Sequence, residues 1–118
     1  MISLKEVIER LKAEPLSCIH SANRQVTGGY ASDLLSCVIK GAQKDSLWVT
    51  LQSHLNVVAV ASLLGLAGVI ITEGNRPDQD TLSKAENEGV ILMTTPKSTF
   101  TVVGELTSMG VKGVGDQG

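Results

Sequence analysis

The feature that most constrains this chain is a nearly continuous apolar run from Leu55 to Ile71, which only Asn56 and Ser62 interrupt with polar side chains. The run is shorter than the roughly 20 residues that a membrane-spanning helix needs. Gly65 and Gly68 divide it, which predicts a helix over 54–64, a glycine turn and a strand over 68–72. A helix that is apolar nearly all round is expected to be buried on more than one side.

The same alternation of strand and helix patterns extends to both sides of this run. At the amino end, Ser3 and Glu6 form a capping-box pattern ahead of an apolar stripe, and Pro15 ends the predicted amphipathic helix. Further strands are predicted over 16–20, 47–51 and 90–94, and further helices over 31–40, from Pro77 to 88, and after a Ser98 cap. Strands that alternate with helices predict an α/β fold with a mainly parallel sheet of about four strands and helices on both faces.

Length and composition predict how this fold is organised. With 118 residues the chain is expected to form one domain, with an N-terminal helix over 1–15, an α/β domain over 16–110 and a flexible tail over 111–118. Only three residues are aromatic, so the core must be built mainly from Val, Ile, Leu and Ala. Such a core suits buried parallel strands covered by helices.

Charge and cysteine content exclude several classes of function. The net charge is −2 and no basic block occurs, which argues against binding to nucleic acid. The amphipathic start is not a secretory signal, and there are only two cysteines, so a cytoplasmic location without membrane association is expected. The two cysteines have no metal-type spacing, and a zinc site from Cys18, His20, Cys37 and His54 would need a coincidence, so none is expected.

In open parallel sheets, ligands bind beyond the carboxyl ends of the strands, and the polar residues of this chain concentrate where the predicted strands end. The candidate ligand-binding residues are Thr27, Gly28, Gly29, Gln52, Ser53, His54, Thr72, Glu73, Gly74, Asn75, Arg76, Lys97, Ser98 and Thr99.

The two glycines after Thr27 are the best local candidate, because a glycine backbone at a helix start can approach an anion closely. The same glycines are also explained by a turn that requires positive φ. Arg76 and Lys97 follow neighbouring strands and either clamp an anion together or are solvated surface charges. His54 either contacts ligand or is an ordinary helix-start residue.

No catalytic motif is present in the sequence. The phosphate loop G-x-x-x-x-G-K-[ST], the dinucleotide fingerprint G-x-G-x-x-G and the nucleophile elbow G-x-S-x-G are all missing. Glu73 has no acidic partner for paired-carboxylate chemistry. A non-catalytic module is therefore expected.

Three short segments carry a resemblance: the VTGG sequence at 26–29, Thr72-Glu73-Gly74 after an apolar strand, and Ser98-Thr99-Phe100. Together they resemble the DRTGG domain family, which is named for an Asp-Arg pair and a later Thr-Gly-Gly. The resemblance extends over about 17–110. Ser53-His54 stands where the family has Asp-Arg, and Glu73 replaces the first glycine of Thr-Gly-Gly.

The resemblance implies a regulatory module. Such domains occur beside CBS domains in pyrophosphatases that adenine nucleotides regulate, and within phosphate acetyltransferases, and they look related to the N-terminal domain of HPr serine kinase. It further implies a homodimer or a partner enzyme, and no kinase activity, because the kinase's phosphate loop lies in another domain. Two hypotheses follow: a sensor of an adenine nucleotide or other anion, and a protein-interaction or oligomerisation domain without a small ligand. A third, a small enzyme, is disfavoured because no base, nucleophile or metal constellation is visible in the sequence.

Overall fold

The computed structural model describes residues 2–116. Its helices and strands follow one another along the chain as β1 (Ile2–Ser3), α1 (Leu4–Leu11), β2 (Glu14–Pro15), a 3₁₀ turn (Ile19–Ser21), β3 (Gln25–Val26), β4 (Gly28–Ala31), α2 (Leu35–Gly41), β5 (Ser46–Thr50), α3 (Leu55–Leu64), β6 (Gly68–Ile71), α4 (Gln79–Glu88), β7 (Leu92–Thr94) and α5 (Thr99–Ser108).

The main sheet has five strands in the order β2-β7-β6-β5-β4. Strands β4 to β7 are parallel to their neighbours, whereas β2 runs antiparallel to β7 and pairs Glu14 with Thr94. Strands β1 and β3 form a separate two-stranded antiparallel sheet. The predicted α/β fold with a mainly parallel sheet is therefore confirmed.

Helices cover both faces of the sheet because side chains on a strand alternate between its faces. On β5, Leu47 and Val49 pack with α1 and α5, and Trp48 between them packs with α2, α3 and α4. All three of these strand residues are buried. Helix α3 buries four residues beside α2 and α4. Its other face is exposed, with Leu55 38% and Leu63 73% accessible, so the expected burial on more than one side is wrong.

Several predicted helix ends are confirmed. Ser3 and Glu6 form both bonds of the capping box, Gly65 ends α3 in the left-handed conformation, and Ser98 caps α5. Helix α4 begins after Asp78, whose side chain accepts from the Thr81 N–H, so Pro77 precedes the helix and does not occupy its first turn.

The prediction of a strand over 16–20 is wrong. Ser17 Oγ donates to the Val90 carbonyl at 2.7 Å, and Cys18 takes a left-handed conformation with φ 50°, which leads into the 3₁₀ turn. The fourth parallel strand is instead β4, from Gly28, where a loop was expected. Four parallel strands are present as predicted, but the first lies about ten residues later in the chain, and α2 starts at Leu35 rather than near Ala31.

The segment 111–116 does not behave as a tail outside the domain. Val111 is buried in the core, and the backbone of Gly29 donates to the Lys112 carbonyl and accepts from the Val114 N–H at 2.8 and 3.0 Å. Gly29 and Gly113 form a parallel bridge on the outer edge of β4. We name residues 111–116 the edge segment. The remainder of the predicted tail, 117–118, lies outside the described residues.

Candidate functional site

The loops after β6 and β7 meet at the carboxyl end of the sheet. Thr72 Oγ1 and Thr99 Oγ1 share a hydrogen bond of 2.6 Å, and the Glu73 carboxylate accepts from the Thr99 N–H at 3.0 Å. The Glu73 N–H donates to the Lys97 carbonyl at 2.9 Å. Glu73 holds a left-handed conformation with φ 62°, which is normally favourable for glycine. The structure therefore brings together Thr72, Glu73, Lys97 and Thr99 from two loops that are distant in sequence.

Asn75 links the same region to the next strand. Its side-chain amide donates to the Leu51 carbonyl at 2.8 Å, and its own carbonyl accepts from Thr94 Oγ1 at 2.7 Å. Three consecutive strands, β5, β6 and β7, are thus joined where they end. Polar residues after parallel strands converge here as expected.

His54 and Ser98 act as helix caps. His54 Nδ1 accepts from the Asn56 N–H at 3.3 Å, and Ser98 Oγ accepts from the Thr101 N–H at 3.2 Å. Of the two interpretations of His54, the structure therefore supports an ordinary helix start. Ser53 directly precedes this cap, at the same end of the sheet.

The sequence analysis missed Asp33, which also lies at this edge. Its Oδ1 accepts from Thr50 Oγ1 and from the Leu51 N–H, both at 2.8 Å, and its carbonyl accepts from the Gln52 side chain at 3.0 Å. Asp33 lies two residues beyond the end of β4, so the misplaced first strand concealed it. If β4 had been located correctly, an aspartate shortly after its end would have identified Asp33 as a candidate.

The predicted site residues Thr27, Gly28 and Gly29 lie elsewhere. They stand at the amino end of β4, because β4 runs from Gly28 towards Ala31 in parallel with β5. Thr27 Oγ1 donates to the Lys44 carbonyl at 3.1 Å, in the loop that precedes β5. The expectation that these glycines start a helix beside the other candidates is wrong.

The two cations Arg76 and Lys97 each have a carboxylate of their own. Arg76 forms a two-pronged pair with Glu14 at 3.0 and 3.1 Å, and Lys97 Nζ contacts both Glu105 oxygens at 2.9 Å. Lys97 Nζ also donates to the Leu11 carbonyl at 3.0 Å. A joint clamp by these two side chains is therefore not formed in this structure.

The ion pair between Arg76 and Glu14 shifts the pKa of both side chains. Hydrogen bonding to Arg76, and then its charge, lower the pKa of Glu14 below its usual value, and the same contacts raise the pKa of Arg76. Both side chains are more than half exposed, so the pair contributes little to stability.

A surface cavity of about 300 Å³ adjoins Gly74 and Arg76 at this end of the sheet. Its other lining residues come from the end of α1, from β2 and from the end of β7: Lys12, Glu14, Thr94, Thr95 and Pro96. It combines two cationic side chains with two threonines and one carboxylate. Such a lining can bind a small anion if Arg76 exchanges Glu14 for the ligand.

Two features are absent from the described part of the chain. Among residues 2–116, no three His, Cys, Asp or Glu side chains are grouped closely enough to hold a metal ion. None of the helices within those residues has both the length and the apolarity that crossing a membrane would require.

Comparisons with known proteins bear on both the fold and the family. The family model of the DRTGG domain matches residues 6–109. A solved structure of the CBS and DRTGG domains of the regulatory region of Clostridium perfringens pyrophosphatase, complexed with the activator diadenosine tetraphosphate, is similar with a TM-score of 0.73 and 16% identity. The match covers 88% of this chain and 45% of that one, and it shows a shared fold. No curated protein matches the chain.

Proposed function

The chain belongs to the DRTGG domain family, and from this premise we propose that it is a non-catalytic regulatory module that binds a small anionic ligand at the carboxyl end of its sheet. Adenine nucleotides are the first ligand class to test. The similar pyrophosphatase regulatory region is complexed with an adenine-containing activator, which supports this choice.

The observation that carries the proposal is the cavity with Lys12 and Arg76 in its wall. Lys12 makes no ion pair within 4.0 Å among residues 2–116, so its charge is available to a ligand. Arg76 is held only by an exposed pair, which is typically worth about 0–1 kcal/mol. An anion can therefore recruit both cations at small cost.

The size of the cavity restricts the ligand. Its volume of about 300 Å³ lies at the lower end of the usual range for ligand pockets, roughly 300–1,000 Å³. A mononucleotide, or a smaller phosphorylated compound, matches this range better than a dinucleotide does.

The polar residues nearby support a binding role rather than catalysis. The Glu73 carboxylate accepts from the Thr99 N–H and His54 Nδ1 accepts from the Asn56 N–H, so both side chains have a role in the local structure. The sequence has no phosphate loop. We therefore propose that the chain is not a kinase and that its ligand acts by changing contacts at this edge.

A thermal-shift titration tests the proposal. AMP, ATP, diadenosine tetraphosphate and inorganic phosphate are added to the wild-type chain, and a ligand at 100 times its Kd should stabilise the fold by about 2.7 kcal/mol. The double variant K12Q/R76Q should weaken binding at least about tenfold, because two charge-assisted contacts are lost. The variant K84Q, which alters an exposed ion pair on α4, is the control and should bind normally. Equal binding by K12Q/R76Q and wild type would place the ligand elsewhere.

A second candidate function is a protein-interaction or homodimer module. It is favoured by four large apolar side chains exposed around the carboxyl end of the sheet, in or beside the loops described above: Leu34, Leu51, Leu55 and Phe100. Phe100 is 88% exposed and follows Thr99 directly. Apolar side chains rimmed by polar ones are typical of interaction surfaces.

Light scattering after size-exclusion chromatography separates the two candidates. A dimer that F100S and L34S convert to a monomer, with no thermal shift from any nucleotide, would favour the interaction module. A monomer that responds to a nucleotide would favour the sensor. For either role we propose a cytoplasmic location, which is consistent with the free thiols of Cys18 and Cys37.

A further inference from the structure

A second cavity, of about 560 Å³, lies between α1 and the start of the edge segment. Thr27 and Gly28, which the sequence analysis assigned to the ligand site, form part of its wall. Its volume falls well inside the usual range for ligand pockets, about 300–1,000 Å³. It has no role in the function proposed above.

Part of the lining of this cavity is apolar. Ile2, Val26, Met109 and Val111 line it, and they come from β1, β3, the end of α5 and the edge segment. Val26 and Val111 are buried at 4% and 7% exposure, and Ile2 and Met109 pack against the same core cluster. The apolar wall is therefore continuous with the hydrophobic core.

The lining also contains two cationic side chains. Arg10, in the last turn of α1, and Lys112, in the edge segment, both line it. Within residues 2–116 neither side chain has a carboxylate partner within 4.0 Å. The one acidic residue in the wall, Glu6, is engaged in the capping box with Ser3. The cavity thus combines an apolar wall with two cations that no ion pair neutralises.

We propose that this cavity binds a small organic anion with an apolar body, such as a carboxylate or sulfonate attached to a hydrocarbon or aromatic group. The anionic group contacts Arg10 and Lys112, and the apolar body packs on Val26, Met109 and Val111. Arginine and lysine are suited to such charge-assisted contacts, and apolar area removed from water supplies the remaining affinity.

This arrangement connects two parts of the chain that are far apart in sequence. Arg10 belongs to α1, whereas Lys112 belongs to the edge segment, whose carbonyl at Lys112 accepts from the Gly29 N–H. A ligand held by both side chains holds the edge segment against β4. Binding is therefore expected to stabilise the packing of the edge segment against β4.

The dye 1-anilinonaphthalene-8-sulfonate has this combination of a sulfonate and an apolar body, so it serves as the probe. In a fluorescence titration of the full folded chain at low salt, a saturable increase with one dye per chain is expected, and octanoate should compete with the dye. The double variant R10Q/K112Q should weaken dye binding at least about tenfold because both cationic contacts are lost. Both positions are exposed, and circular dichroism checks that the variant folds.

Two control variants make the outcome specific. K12Q/R76Q removes the cations of the other cavity and should leave dye binding unchanged, so failure of this inference is separable from failure of the proposed nucleotide site. F100S removes the most exposed apolar side chain and should also have no effect. Dye binding that R10Q/K112Q does not change, or that F100S abolishes, would overturn the inference.

Discussion

Val114 covers Gly28 so closely that a Cβ atom at position 28 would overlap the Val114 side chain and lie 2.9 Å from the Lys112 carbonyl oxygen. A glycine is thus required at position 28, the first glycine after Thr27, because the edge segment packs directly against it. Its role in this structure is to allow two backbone segments to pack together.

This contact predicts that Gly28→Ala destabilises the fold. The added methyl group must displace Val114 or the backbone of Lys112, and overpacking of this kind typically costs about 1–3 kcal/mol. Urea denaturation followed by circular dichroism measures the change. Gly104→Ala is the matched control: Gly104 lies inside α5 with nothing within 4 Å of a built Cβ, so alanine there should stabilise by roughly 0.5–1 kcal/mol. A G28A variant as stable as wild type would contradict the described position of the edge segment.

The hydrogen bonds that Asp33 accepts predict a second effect of a substitution on stability. Asp33→Ala removes the acceptor of the Thr50 hydroxyl and the Leu51 N–H and should cost about 1–2 kcal/mol, at the lower end because water reaches this exposed loop. Asp33→Asn keeps an acceptor oxygen and should retain most of the stability. The midpoint of urea unfolding compares the three chains, and equal losses for D33A and D33N would assign the effect to charge rather than to these hydrogen bonds.

The two thiols are expected to differ in reactivity. Burial, and then hydrogen bonding to Glu86 and its charge, raise the pKa of the Cys18 thiol, whereas Cys37 is exposed. At pH 8 a thiol reagent such as Ellman's reagent should therefore react with one thiol per folded chain and with two in denaturant. The variant C37S should lose the fast reaction. A fast reaction that persists in folded C37S would show that Cys18 is accessible.

Asp78 predicts a pH dependence of helix capping. Hydrogen bonding from Thr81 lowers the pKa of Asp78, so its contribution to stability is fully present above the unfolded value of about 3.9 and is lost as the pH falls through the lower folded pKa. The stability difference between wild type and D78A should therefore shrink from pH 7 towards pH 2. Ser98→Ala removes a cap that does not titrate, and its cost of about 0.5–2 kcal/mol should not change with pH over this range. The urea midpoints of wild type, D78A and S98A between pH 7 and pH 2 test both expectations. A loss of stability in D78A that does not change with pH would contradict the prediction.

Helix positions were the most predictable part of the fold. The pattern around Ser3 and Glu6, the glycine after Leu64 and the serine at 98 each specify a local hydrogen bond or backbone conformation, and each is found as predicted. The buried strands β5, β6 and β7 also follow from continuous apolar runs. These signals are local, because neighbouring residues supply both the pattern and the partners.

The first strand and the candidate site were less predictable for one shared reason. The short sequence of β4 contains two glycines and no apolar run, and it becomes a strand through pairing with β5 and with the edge segment far along the chain. Misplacing β4 put Thr27, Gly28 and Gly29 at the wrong end of the sheet and hid Asp33. The sequence identified Arg76 and Lys97 as candidate cations, but it did not reveal that Glu14 and Glu105 form ion pairs with them.

By itself, the sequence determined the α/β class, the two-sided burial of the sheet, several helix caps and the absence of the phosphate loop, the dinucleotide fingerprint and the nucleophile elbow, since these depend on periodicity and on short local patterns. Only the tertiary structure decided which polar residues share an end of the sheet, which cations are already paired, and that the apparent tail packs along β4. Those outcomes depend on contacts between residues tens of positions apart, and the closeness of Gly28 and Val114 arises only when the chain folds.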